Sequence, residues 1–539
     1  MTSMTGCRCW LLLLLAAAGR EALADIASHR ITSLPGWSGE LPSRMWAGHI
    51  DVAAEGEASR KLFYWFCEAE QVEPHDAPVV LWTNGGPGSD SLGGFFTELG
   101  PFEANEHDGG QTLRRNPMTW NAIANVLYLT HPTGVGYSYS ANDINTHTDE
   151  SDARDNHVFL RRFFEAYSEF ATNDFWLTGE SYAGIYIPLL AAEIATGNDA
   201  TVPPSGWQGA WPHINLVGLF VGNGCTGNKT PSCGETPGNT PLLHTSSGQR
   251  LRVLHGHAML SDKAFNEMVS NCPVSISILP DCMVLTPLKD CGSESSTDRL
   301  RMSSMVPGEC AVWNSSHWAY LVNDTSQSPH YGCCSTLNKW KDLIGDVCIY
   351  DIMGGTPRPK ATGGGGSSSS SGNEGDSYGD DEISAGLLFM GATAADWAGQ
   401  ALTHPGRLTL EQGMVARRKA AAGMSYGLRG CVGHGPWGAD TPSPEPHSVW
   451  LNRADVREAL HADPDAIAAS HRWGTRVGWK YTRTVDSLLE TVWPDLIQRY
   501  RTVIYSGDKD ACVPFTGGQD WTNGGCCAVP GWLAASLCE

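Results

Sequence analysis

The stretch "DFWLTGESYAGIYIPLLAAEIATG", residues 174–197, constrains the fold of this chain more than any other. Its first part, "DFWLTG" (174–179), carries the bulky residues of a buried strand. Its last part, "AGIYIPLLAAEIATG" (183–197), reads as an apolar helix closing on glycine. Only Glu180, Ser181 and Tyr182 lie between them. The chain must therefore turn from strand into helix at one tight corner, which argues for alternating strands and helices.

The rest of the sequence supplies the other members of such a series. "VVLWT" (79–83), "ANVLYLT" (124–130) and "INLVGLFVGNG" (214–224) read as strands, and "RTVIYSGDKD" (501–510) as a final strand ending in a turn. "DARDNHVFLRRFFEAYSEFA" (152–171) carries apolar residues at helical spacing, and regular structure returns at "SVWLNRADVREALHAD" (448–463), where Asn452 or Asp455 is expected to cap a helix. The expected class is α/β with a mostly parallel central sheet. Residues 25–224 form the first part of its core and 431–523 the second. Between them, 225–430 is Cys-rich and irregular, an inserted region. Within it "ATGGGGSSSSSGNEGDSYGDDE" (361–382) is a flexible acidic loop by composition, and a processing site is the sharper alternative.

Composition narrows the partners. The chain has 539 residues and a formal net charge of -22. That balance argues against a nucleic-acid partner, because phosphate binding needs a basic face. Residues 1–24 read as a secretory signal: Arg8, the apolar run "CWLLLLLAAAG", and "ALA" before Asp25. The run is too short for a membrane anchor, and none is expected later. Nine cysteines fall between Cys225 and Cys348, consistent with a disulfide framework in an oxidising compartment. Asn228, Asn314 and Asn323 open glycosylation sequons.

Three short motifs carry chemistry. "GESYAG" (179–184) resembles a G-x-S-x-G nucleophile elbow, with Ala183 in the usual place of the last glycine and Gly184 one position late. A strained corner exposes Ser181 and aims the N–H of Tyr182 at the reacting oxygen. "NGGPGS" (84–89) follows a strand, where a glycine loop donates a second oxyanion N–H. "YSGDKD" places a carboxylate after a late strand, the position of the acid in the order Ser, Asp, His. Each alone reads equally as an ordinary turn.

Together these pieces resemble the serine carboxypeptidases. "RMWAGHIDV", "KLFYWFCEA", "LWTNGGPGSDSLGGFFTELGPF", "NPMTWN", "NVLYLTHPTGVGYSYS", "FWLTGESYAGIYIP", "VGLFVGNG", "WLNRADVREALHAD" and "VIYSGDKDACVP" follow in family order. The resemblance implies an α/β-hydrolase fold with an inserted cap. It implies release of C-terminal amino acids from peptides at acidic pH, without metal or cofactor, in a secreted or vacuolar/lysosomal setting. It makes Ser181 the nucleophile and gives the oxyanion N–H groups to Gly86 and Tyr182. It makes Asp510 the acid that orients the histidine, with Asp508 as the lesser candidate. It places the substrate's terminal carboxylate at Asn84, Gly85, Glu98 and Glu180. Two carboxyl groups there cannot both ionise cheaply, so one stays protonated and donates a hydrogen bond.

Some positions depart from the family pattern. Ser89 stands where a cysteine is usual, so one disulfide is expected to be missing, and His131 stands where glutamine is common. His131 is expected to be polar packing rather than a base. The family takes its base from a G-x-G-H-x-x-P-like element after the acid, yet no histidine follows His471, and "GGCCAVPGWLAASLCE" (524–539) resembles nothing in the family. The expectation is a chain lacking its histidine segment and impaired as written. The alternatives are a catalytically dead peptide- or carboxylate-binding homologue and an acyltransferase on the same scaffold.

Overall fold

The computed structural model of the chain describes residues 28–272, 445–464 and 479–523, less short gaps at 55, 143–145, 201–206, 208–210 and 235–239. It adds the strand pair at 309–313 and 319–323, and Ile352. Residues 1–24, expected to be a secretory signal, lie outside the described residues, as do 361–382 and 524–539.

Nine strands form the main sheet: β1 (Arg30–Ile31), β2 (Met45–Asp51), β3 (Arg60–Cys67), β4 (Val79–Thr83), β5 (Asn125–Thr130), β6 (Tyr139–Ser140), β7 (Phe175–Glu180), β8 (Leu216–Gly222) and β9 (Arg501–Tyr505). Their order is β1-β2-β3-β5-β4-β7-β8-β9, with β6 beside β3. From β5 to β9 every pairing is parallel, whereas β1, β2, β3 and β6 pair antiparallel. The sheet is thus mixed and mostly parallel, as the sequence implies.

Both faces of the sheet are covered, which explains the unbroken apolar runs in its strands. Successive side chains point to opposite faces. Leu62, Tyr64 and Phe66 of β3 join Val79, Leu81, Phe175 and Leu177 in one core. Phe63 and Trp65 join Val80, Trp82 and Trp176 in the other. Helices α1 (Asp149–Ala166) and α2 (Ala183–Asp199) cover the first face. Thr148 and Ser151 form a capping box at the start of α1. Trp450 and Leu451 help to fill the second core.

The cap expected within 448–463 needs correction. The chain forms two short helices, Pro446–Leu451 and Ala454–Ala459. Asn452 ends the first by turning its Nδ2 back to Ser448 O (2.7 Å), and neither Asn452 nor Asp455 caps the second. One bridge of the expected disulfide framework is described, Cys225–Cys233. No helix among the described residues is long and apolar enough to cross a membrane.

Candidate active site

Ser181 sits at the corner between β7 and α2 with φ of 60°, a left-handed conformation that non-glycine residues adopt at a cost. Backbone bonds hold it there. Ser181 N donates to Gly222 O (3.0 Å), while Ser181 O accepts from Cys225 N (2.9 Å) and Gly184 N (3.0 Å). The corner is thus fastened to the end of β8, and the helix beginning after it points its first N–H groups toward the serine.

The glycine loop after β4 closes on the same corner. A Cβ on Gly85 would lie 2.3 Å from Tyr182 N and 2.8 Å from Ser181 Cβ, so only glycine permits this approach. Gly86 follows with φ of +110°. The loop therefore brings Gly85 close against the Tyr182 N–H and Ser181, with Gly86 next in the chain.

Asn84 organises two carboxyl groups. Its Oδ1 accepts from Trp82 Nε1 (2.9 Å) and Gly94 N (3.1 Å), which fixes the amide orientation. Its Nδ2 then donates to Glu180 Oε1 (2.9 Å) and Glu98 Oε1 (3.3 Å). Glu98 lies on a π-helical turn, Phe95–Leu99, reachable from the cleft. Desolvation by the surrounding protein, then the charge of Glu180, pushes the Glu98 carboxyl well above its ordinary range. Desolvation also raises Glu180, against its bonds from Asn84 and Glu98. Both carboxyl groups are thus held above their ordinary range, and the pair resists ionising twice. Glu180 directly precedes Ser181, so the pair adjoins the nucleophile.

Asp510 turns inward and accepts from Cys512 N (2.6 Å) and Val513 N (3.3 Å). Desolvation pushes its carboxyl up to about 7. The Cys512 and Val513 amides oppose that shift, the Glu180 charge adds to it, and Arg250 counters it. Asp508 faces outward, its side chain 75% exposed and 3.7 Å from His257 Nε2.

His131 is buried in a polar network. Its Nδ1 lies 2.9 Å from Asp152 Oδ1, and its Nε2 lies 2.6 Å from Thr83 Oγ1. Among the described residues no histidine hydrogen-bonds the Ser181 hydroxyl. Of the sequons, Asn228 holds its Nδ2 buried, Asn314 lies outside the described residues, and Asn323 ends a strand.

Sequence reasoning missed two supporting residues. Asp149 accepts from the hydroxyls of Tyr182 (2.8 Å) and Tyr481 (3.0 Å), and from the backbone of Thr484 and Val485. It thereby fixes the Tyr182 ring beside the serine. Asn223, in the turn after β8, bonds the loop of Asp510. The only signal for it is Asn before Gly, a pair that suits positive φ.

The geometry has counterparts in known proteins. The family profile described as serine carboxypeptidase matches residues 35–529. Serine carboxypeptidase 1 of Hordeum vulgare is 30% identical over 506 residues, covering 91% of this chain and 80% of that protein. The lysosomal protective protein of Mus musculus is 42% identical over 215 residues, 40% of each chain. The crystal structure of a prohormone-processing carboxypeptidase from Saccharomyces cerevisiae superposes with a TM-score of 0.52 at 18% identity. It covers 92% of this chain and 81% of that one, a likeness of fold. With its profile matched from the first strands to beyond the acid loop, this chain belongs to the serine carboxypeptidase family.

Proposed function

We propose that this site releases the C-terminal amino acid of a peptide through an acyl-enzyme on Ser181. The observation that carries the reading is the Glu98–Asn84–Glu180 cluster beside an elbow serine. An exopeptidase must recognise a free carboxylate, and a carboxyl held neutral can donate to one where an ionised carboxyl would repel it. In this reading the terminal carboxylate accepts from Glu98, Asn84 and the Gly85 N–H. The scissile carbonyl then lies over Ser181, with its oxygen at the N–H groups of Gly86 and Tyr182. Ser181 Oγ adds to the carbonyl carbon, the amine departs with a proton, and water hydrolyses the ester. Asp510 serves to orient a histidine base.

Among the described residues none places that base at Ser181. The secretory pathway suits the signal-like N-terminus and the Cys225–Cys233 bridge.

Titration calorimetry with an N-blocked dipeptide acid and the matching amide tests the recognition. The acid should bind about 10-fold tighter or more, since a hydrogen bond to a charged group contributes about 1.5–3 kcal/mol. Equal affinity for acid and amide would refute it. Binding of the acid without any Ser181-dependent turnover would favour a carboxylate-binding protein instead.

A further inference from the structure

Ser181 and the loop of Asp510 follow β7 and β9, and β8 runs between them. Whatever keeps acid and nucleophile in register must cross that middle strand. The pairing of β8 with β9 ends where Gly222 faces Tyr505. The next residue, Asn223, continues the connection in another form.

We infer that Asn223 is a positioning residue: one side-chain amide closes both ends of the Asp510 loop and ties that loop to the turn holding Ser181. Its Oδ1 accepts from Gly507 N (2.9 Å), at the start of the loop. Its Nδ2 donates to Val513 O (2.9 Å), at the end. Its own N–H donates to Tyr505 O (2.9 Å). The residues flanking it carry the serine's tethers, Gly222 O from Ser181 N and Cys225 N to Ser181 O.

The chemistry selects asparagine. The position has φ of 42°, which asparagine tolerates better than most residues. The two ends of the loop present one N–H and one C=O, so the bridging group needs one acceptor and one donor at fixed spacing. Aspartate keeps the acceptor and sets a carboxylate against the Val513 carbonyl. Glycine keeps the backbone and loses both bonds. Val513 gives its N–H to Asp510 and its C=O to Asn223, so a shift at Asn223 reaches the acid through one residue.

The inference rests on the proposed carboxypeptidase reading, and two measurements on the full chain separate it from that reading. Hydrogen exchange of Asn223→Gly should quicken about 5-fold at the Gly507 amide, which loses its acceptor, and also at Cys512 and Val513, whose acceptor Asp510 sits in the loosened loop. Residues 84–98, which span Asn84, Gly85 and Glu98 of the proposed carboxylate site, should exchange as in the parent. Asn223→Asp should keep Gly507 protected and lose protection at the Val513 end. On a blocked dipeptide acid, with imidazole added as base, Asn223→Gly should lower kcat by about 100-fold with KM within about twofold. Unchanged exchange over 507–513 overturns the inference. Faster exchange with kcat preserved also overturns it, since the bonds would then staple a loop without positioning the acid. A general loss of protection across the sheet does the same, by showing a structural role. A parent chain without Ser181-dependent turnover refutes the carboxypeptidase reading, and exchange over 507–513 then decides the tie by itself.

Discussion

Replacing Asp510 by asparagine should make the fold more stable in mild alkali and leave it unchanged in acid. In the fold the carboxyl is pushed from 3.8 to about 7. Its raised value means that the folded state holds a proton the unfolded state has released. Stability from this group is therefore complete below about pH 4 and is lost as pH rises through about 7. Three pH units at about 1.36 kcal/mol each set a ceiling of about 4 kcal/mol. Asp510 is only partly covered, so water relaxes the penalty, and about 2 kcal/mol is the working figure. Asparagine keeps an oxygen for Cys512 N and never ionises. Urea unfolding with disulfides intact should show parent and Asp510→Asn equal near pH 4, with the variant ahead by about 2 kcal/mol near pH 8. Glu98 and Glu180 titrate in both proteins, so the difference between the two curves reports Asp510 together with its coupling to Glu180. A difference that stays constant across this range would refute the buried, proton-holding acid.

Three further outcomes follow from the site. Gly85→Ala places a methyl 2.3 Å from Tyr182 N; it should abolish Ser181-dependent turnover in a chain whose circular dichroism is unchanged, and parent-like turnover would refute the close approach. Glu98→Gln installs a permanent neutral donor, so affinity for a dipeptide acid, strongest in acid for the parent, should persist as pH rises, as calorimetry at several pH values would show. Imidazole should raise the parent's residual turnover in proportion to its concentration and leave Ser181→Ala untouched, a rate measurement that checks whether the base is what these residues lack.

The strands and the serine corner were legible because local sequence determines them. "VVLWT" is apolar throughout since both faces of β4 are buried, and its predicted bounds, 79–83, match the strand. Ser181 stands between two strongly patterned elements, so its corner could be placed to the residue. The cap expected of Asn452 or Asp455 failed because the second helix starts at Ala454 behind Arg453, while Asn452 closes the first by bonding back to Ser448. Asn223 was illegible for another reason. Its partners, Gly507 and Val513, lie 284 and 290 positions away, and no local pattern reports a bond of that range. The bonds from Asp149 to Tyr481 and Thr484, across more than 330 positions, are hidden likewise.

The central claim is that Ser181 acts at the residue next to a free C-terminal carboxylate. The most direct measurement is release of the last amino acid from an N-blocked dipeptide acid and from its amide, by the full chain and by Ser181→Ala, at mildly acidic pH with imidazole present. The account predicts release from the acid, little from the amide, and none from the acid with Ser181→Ala. Equal release from acid and amide, or release that survives loss of the Ser181 hydroxyl, would contradict it.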